Sequence, residues 1–287
     1  MSTTIGAAAP AAAPTEAAVL SASKVTMRFG GLLAVNAIDF AVADRQIAGL
    51  IGPNGAGKTT FFNCLTGLYK PTSGEIRLHG RVLSSKPHLV TRAGVARTFQ
   101  NIRLFATMTA EENVLVARHS RTTAGVFAAI GHGPRYHREE RESRERAREL
   151  LSFVGLSRVS GELARNLNYG DQRRLEIARA LATEPSVLLL DEPTAGMNPQ
   201  ETRAAADLVR AIRDRGVAIV VIEHDIRFIF NLCDVVTVLA RGEVLSRGVP
   251  SVVQADPRVI EAYLGGAADP PGAPGAAVSD GAGGGGR

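Results

Sequence analysis

Tryptophan is absent from the 287 residues, aromatic residues of all kinds make up 5%, and there are only two cysteines. Without Trp, and with no aromatics interleaved among basic residues, the chain carries no RNA-binding aromatic signature. Cys64 and Cys233 sit in apolar surroundings with no CxxC spacing. That pattern points to buried free thiols in a reducing compartment. No apolar run approaches the roughly 20 residues that a membrane-spanning helix needs. The best candidate, 217–222, fits a buried strand. The chain is therefore expected not to cross a bilayer, and at a membrane another subunit would hold it. The Ala-rich start has no basic segment followed by a compact apolar stretch, so no secretory signal is expected. No internal repeat suggests a solenoid.

What is present reads as an ordinary globular protein, with 45% apolar residues. Its net charge of +5, from 33 basic and 28 acidic residues, is too small to select a nucleic acid or an anionic membrane as partner. Residues 1–18 are Ala/Pro/Thr-rich and 265–287 are Gly/Ala/Pro-rich. Neither can bury enough surface to offset its ordering entropy, so both are expected to be disordered tails around a folded unit of 19–264. Period-two alternation places strands at 25–29 and 37–42, an apolar run at 46–51 leads into a helix at 60–68, and 74–83 forms a hairpin about His79-Gly80-Arg81. From about 87 to 165 the pattern is mostly helical. There, Glu140 with Arg144 and Glu142 with Arg146 are spaced as i,i+4 pairs, and Ala147, Leu150, Leu151 and Val154 share one face. The last third alternates helices at 169–182, 199–213 and 226–231 with buried strands at 187–190 and 217–222, then a hairpin about Ala240-Arg241-Gly242. Apolar strands alternating with helices imply an α/β fold with a parallel sheet covered on both faces.

Chemistry concentrates in three places. The segment Gly52-Pro53-Asn54-Gly55-Ala56-Gly57-Lys58-Thr59, followed by Thr60, matches G-x-x-x-x-G-K-[ST] between an apolar strand and a helix. Its glycines let backbone N–H groups turn inward around phosphate oxygens, and the helix start adds partial positive charge. Lys58 has the reach for the β- and γ-phosphates of ATP, and Thr59 for a Mg²⁺ ion. The second place is the run of Leu188 to Leu190 that ends in Asp191 and Glu192. Ligands of open parallel sheets bind at this strand end. There Asp191 can hold Mg²⁺ through its water shell, and Glu192 can polarise an attacking water. Two acids after an apolar run commonly just begin a loop; with the phosphate loop they make a two-part nucleotide site. The third is His224, directly after the strand 217–222, where a capping or core histidine is the competing explanation.

The run Leu167-Asn168-Tyr169-Gly170-Asp171-Gln172-Arg173-Arg174, ahead of Asp191, resembles the signature sequence of ABC transporter ATPases. With the phosphate loop, the acidic pair and the late histidine, the main marks of that family stand in order across 19–264. The chain is further similar to the ATP-binding proteins of high-affinity branched-chain amino acid transporters. That likeness rests on Arg28-Phe29-Gly30-Gly31-Leu32, Ala96 through Phe105, Met108 through Val114, Gln172 through Ala182, and Ala195-Gly196-Met197-Asn198-Pro199, with an insertion of about thirty residues before the charged helix. The resemblance implies a P-loop ATPase core, an N-terminal antiparallel β subdomain and an inserted helical subdomain at about 87–165. It also implies roles. Phe29 would stack on adenine, and Gln100 would touch Mg²⁺ and sense the membrane partner. Glu192 would act as general base and His224 as γ-phosphate sensor. Asn168, Tyr169 and Gly170 would cap the phosphate loop of a second subunit. Asn168 stands where the broad signature has Ser, Tyr169 where it has Gly, and Asn198 where Asp is usual.

The implied partners are two transmembrane permease subunits, a second ATPase subunit of unlike sequence (a second copy being the alternative) and, indirectly, a periplasmic or extracellular solute-binding protein. No nucleic acid is expected. The implied location is peripheral, on the cytoplasmic face of the inner membrane. Two other functions compete. A non-transport ABC ATPase acting on nucleic acid or in assembly would usually carry duplicated cassettes, coiled-coil inserts or distinct linkers, and none is visible. The other is a P-loop GTPase or kinase; a GTPase would carry N-K-x-D, which is absent.

Overall fold

The computed structural model describes residues 18–118 and 134–264. Both tail expectations, apart from Ala18, and the middle of the inserted stretch lie outside the described residues. The chain opens with two long antiparallel strands, β1 (Ala18–Phe29) and β2 (Leu32–Ala43), turned at Gly30-Gly31. Then come β3 (Ile47–Ile51), α1 (Lys58–Leu65), β4 (Ser73–Leu78), β5 (Arg81–Val82), α2 (Pro87–Ala93) and β6 (Val95–Arg97). Helices α3 (Ala110–Arg118), α4 (Pro134–Phe153) and α5 (Tyr169–Leu181) follow. The last third is β7 (Val187–Asp191), α6 (Pro199–Asp214), β8 (Ala218–Ile222), α7 (Ile226–Leu232), β9 (Val235–Ala240), β10 (Glu243–Gly248), α8 (Pro250–Gln254) and α9 (Pro257–Leu264).

Two sheets result. One is antiparallel, in the order β2-β1-β4-β5. The other runs β10-β9-β3-β8-β7-β6, parallel throughout except for the β9–β10 hairpin. Strands β3, β7 and β8 are buried at every residue, and the pleat explains why. Leu188, Leu190, Ile219 and Val221 face a core built with α5, α6 and α7. Val187, Leu189, Val220 and Ile222 face a second core containing Phe40, Phe61 and Phe62. A strand covered on both faces has no polar side, so its sequence is a continuous apolar run. Each such Leu, Ile or Val contributes about 1.5–3 kcal/mol by leaving water.

The inserted segment packs α3, α4 and α5 on one another. Ala147, Leu150, Leu151 and Val154 form the buried face of α4 as their spacing predicts. Glu140 pairs with Arg144 at 3.0 Å. The Glu142–Arg146 pair does not form; Arg146 turns instead to Glu149 at 2.8 Å. On an exposed face the alternatives differ by only a few tenths of a kcal/mol. The stretch read as helical from 87 also contains a strand: β6 extends the parallel sheet by pairing with β7. Three residues are too few to display a period. Strand β1 starts at Ala18, earlier than the alternation suggests, because its first half is Ala- and Ser-rich. No described helix is long and apolar enough to cross a membrane.

Candidate functional site

The phosphate-type loop owes its shape to what surrounds it. Buried β3 delivers the chain to Gly52, and α1 begins at Lys58. A Cβ on Gly52 would lie 2.1 Å from the Leu239 carbonyl oxygen, and one on Gly57 would lie 2.5 Å from that of Ala34. Gly57 also has φ 94°, which disfavours any side chain. The loop is tied to the β9–β10 hairpin, since Gly242 N–H donates to the Ala56 carbonyl at 3.1 Å. It floors an open cleft of about 550 Å³, lined by Asn54, Gly55, Ala56, Gly57, Lys58, Thr59 and Thr60 together with Glu192 and His224.

Lys58 is buried, and its ammonium donates to the carbonyls of Gly52 at 2.6 Å and Pro53 at 3.0 Å. Burial draws its pKa below that of an ordinary lysine, and the Glu192 carboxylate opposes that shift. The cation is thus held inside the loop's own curve, where phosphate oxygens can replace the carbonyls.

Glu192 leaves β7 in the left-handed region, with φ 48°. That conformation is uncommon for a residue with a side chain and recurs at functional sites. Its N–H donates to the Ile222 carbonyl at 2.9 Å, so the ends of β7 and β8 are fastened together. Its carboxylate is engaged at both oxygens: His224 Nε2 lies 2.7 Å from Oε1, and Gln100 Nε2 donates to Oε2 at 2.8 Å. Three of the residues singled out in the sequence, from three chain segments, therefore meet at one carboxylate.

Asp191 is buried beside them in an ion pair. Arg97 of β6 donates to its Oδ2 at 2.6 Å and to Asn63 Oδ1 at 2.6 Å. The guanidinium also lies 5.2 Å from the Phe62 ring centroid and 5.1 Å from that of Phe99. Sequence reasoning missed Arg97, because a segment taken as helical conceals a strand end that points to the site. It also missed Glu223, a buried carboxylate that accepts from Thr194 N–H at 2.8 Å, Thr194 Oγ1 at 2.5 Å and His224 N–H at 3.1 Å. The available signal was an acid directly after an all-apolar strand.

Two groups lie elsewhere. Phe29, half exposed at the end of β1, is not among the residues lining the cleft; it packs edge-on against Tyr69 with centroids 5.3 Å apart. Asn168 and Gly170 line a different cleft, with Arg174, Met197 and Glu201. Asn168 caps α5, accepting from Asp171 N–H at 2.9 Å. Tyr169 turns its hydroxyl back to accept from Arg173. Asn198 likewise has a local reason: it caps α6 in a capping box with Glu201.

A strand–glycine loop–helix cradle with its lysine, beside a carboxylate at the tip of a parallel strand, defines a P-loop nucleotide-binding protein. The signature helix and the histidine narrow the class. Residues 35–195, more than half of the chain, match the family model described as ABC transporter, and residues 243–269 match the model described as branched-chain amino acid ATP-binding cassette transporter. The chain is 47% identical, over 86% of its length and 98% of the relative's, to the high-affinity branched-chain amino acid transport ATP-binding protein BraF of Pseudomonas aeruginosa. It is 46% identical, with the same coverage, to LivG of Escherichia coli, which has the same description. Among solved structures, the ADP conformation of MJ1267, an ATP-binding cassette of an ABC transporter, superposes with a TM-score of 0.76 at 28% identity, covering 86% of this chain and 99% of that one. The chain belongs to the ABC transporter ATP-binding family and has the ATP-hydrolysing cassette fold of that family.

Proposed function

We propose that this chain is the ATP-hydrolysing subunit of an importer for branched-chain amino acids or closely related small solutes. The observation that carries the catalytic part is the double engagement of Glu192 by His224 and Gln100 at the mouth of the phosphate loop. The cargo class rests on the likeness to BraF and LivG over nearly their whole lengths.

In this reading the loop 52–59 and Lys58 hold the β- and γ-phosphates of ATP, and Phe29 supplies the surface for adenine. Glu192 takes a proton from the attacking water, and His224 orients that carboxylate and meets the γ-phosphate. No group of three or more His, Cys, Asp or Glu among the described residues could hold a metal unaided. Mg²⁺ does not require one, since it takes one or two protein oxygens beside substrate phosphates. Thr59, Asp191 and Gln100 are donors of the right chemistry; bound there, Mg²⁺ would neutralise charge developing on the phosphates. Asn168 and Gly170 line a cleft other than the one at the phosphate loop, and with Tyr169 they would cap the loop of a second ATPase subunit, one of unlike sequence. Two permease subunits would anchor the pair at the cytoplasmic face of the inner membrane, and a solute-binding protein outside would choose the cargo.

The test is Glu192→Gln in the assembled transporter. ATP is expected to bind with little change while turnover falls at least a hundredfold. Turnover within twofold of wild type would falsify the general-base role. Radiolabelled leucine uptake by a deletion strain tests the cargo: undiminished uptake of every branched-chain amino acid removes that part of the proposal.

A further inference from the structure

Helix α5 does more than present Asn168 at its tip. One turn in, Arg173 is 4% exposed and spends its guanidinium on the segment that carries Gln100. Its Nη1 donates to the Phe99 carbonyl at 2.7 Å, and its Nη2 donates to the Gln100 carbonyl. Nε and Nη2 also donate to the Tyr169 hydroxyl, at 3.1 and 2.8 Å. Glu176, equally buried, lies 3.4 Å from Nη1 and accepts from Arg103 N–H at 3.3 Å. Arg179 donates to the Arg103 carbonyl. Three positions of one helix, three residues apart, therefore grip the two ends of 99–103 at backbone atoms. Gln100, held in that grip, reaches Glu192 with its side chain.

From this geometry we propose that Arg173 is a positioning residue for hydrolysis, whose forked grip on the Phe99 and Gln100 carbonyls keeps Gln100 on Glu192 and makes the alignment of Glu192 depend on where helix α5 sits. The proposal rests on the assignment of Glu192 as general base. The guanidinium holds its donors in one rigid plane and so fixes the two carbonyls relative to each other; an ammonium on a flexible stem imposes no such geometry. Asn168 and Arg173 share one rigid helix. A shift of α5 on docking at Asn168–Gly170 is therefore transmitted to the Gln100 backbone without passing through the phosphate loop.

The test is a double-mutant cycle on ATP turnover by the full-length chain purified with its membrane subunits. Arg173→Met is expected to lower kcat about tenfold while KM for ATP stays within about twofold. Arg173→Met/Gln100→Ala is expected to be no slower than Gln100→Ala alone, because both break one link. Arg173→Lys is expected to fall between wild type and Arg173→Met, and it carries the same cycle if the Met variant does not fold. Multiplicative losses in the double variant, full kcat in Gln100→Ala, or a rise in KM at unchanged kcat overturns the relay. Glu192→Gln, run in parallel, separates the two ideas. If it is inactive while the losses multiply, the relay alone is wrong; if it turns over normally, the general-base assignment is wrong.

Discussion

Replacing Arg97 by methionine should destabilise this protein by several kcal/mol. The side chains of Arg97 and Asp191 are only 8% and 9% exposed, and their closest atoms are 2.6 Å apart. Unit charges about 4 Å apart at an effective dielectric near 20 attract by roughly 4 kcal/mol. Removing one partner leaves the other carboxylate buried and uncompensated, which in comparable pairs costs about 3–5 kcal/mol. Methionine keeps the contacts with Phe62 and Phe99, so little of the loss should come from packing. Equilibrium urea unfolding, read by far-UV circular dichroism, measures it directly, and the melting temperature should fall by roughly 10 °C. Adding Asp191→Asn should recover about half of the loss, because the stranded charge is then gone. A loss below about 1 kcal/mol for Arg97→Met, or no recovery in the double variant, would show that the pair does not hold the strand ends together.

Gly57→Ala should abolish ATP binding in a fluorescent-nucleotide titration, since its Cβ would meet the Ala34 carbonyl at 2.5 Å in a backbone conformation with φ 94°; micromolar binding by that variant would contradict the loop geometry. Asn198→Ala should cost about 1 kcal/mol in urea unfolding by removing the α6 cap, whereas Asn198→Asp should be nearly neutral; equal losses for the two would exclude capping as the reason for Asn198. Burial raises the Cys64 thiol from 9.0 to about 11, and raises that of Cys233 as well. At pH 8 native Cys64 should therefore react with iodoacetamide about a hundredfold more slowly than a free thiol. The native protein binds the extra proton between pH 9.0 and about 11, so this thiol's contribution to stability is complete below 9.0 and is lost as pH rises through that window. Mass spectrometry after timed labelling reads the rates, and native alkylation as fast as in urea would rule out burial as the protection.

Where one short pattern determines both structure and chemistry, the sequence was legible. The loop 52–59, the acidic pair at the end of β7 and the buried face of α4 could be read because period and spacing are local. Arg97 could not, for its significance depends on pairing across β6 and β7, residues nearly a hundred positions apart. Glu223 was hidden by its neighbour: His224 drew attention while the adjacent carboxylate holds Thr194 in place. Helices α8 and α9 are not read from the sequence because they are short, at five and eight residues. The signature resemblance gives Tyr169 a role only toward a second subunit, and only the fold shows its hydroxyl turned back to Arg173.

The place of β3 in the sheet bears on how the protein is made. This strand, which launches the phosphate loop, has no neighbour from its own half of the chain: it lies between β8 and β9, with Ala48 opposite Val220 on one side and Val235 on the other. On a ribosome adding about 5–20 residues per second, those neighbours emerge on the order of ten to thirty seconds after β3. Until then an apolar strand with two open edges waits in the nascent chain, where strand-on-strand aggregation is the main hazard. Synonymous codon changes that slow translation between β3 and β8 should therefore reduce soluble yield without altering a single residue.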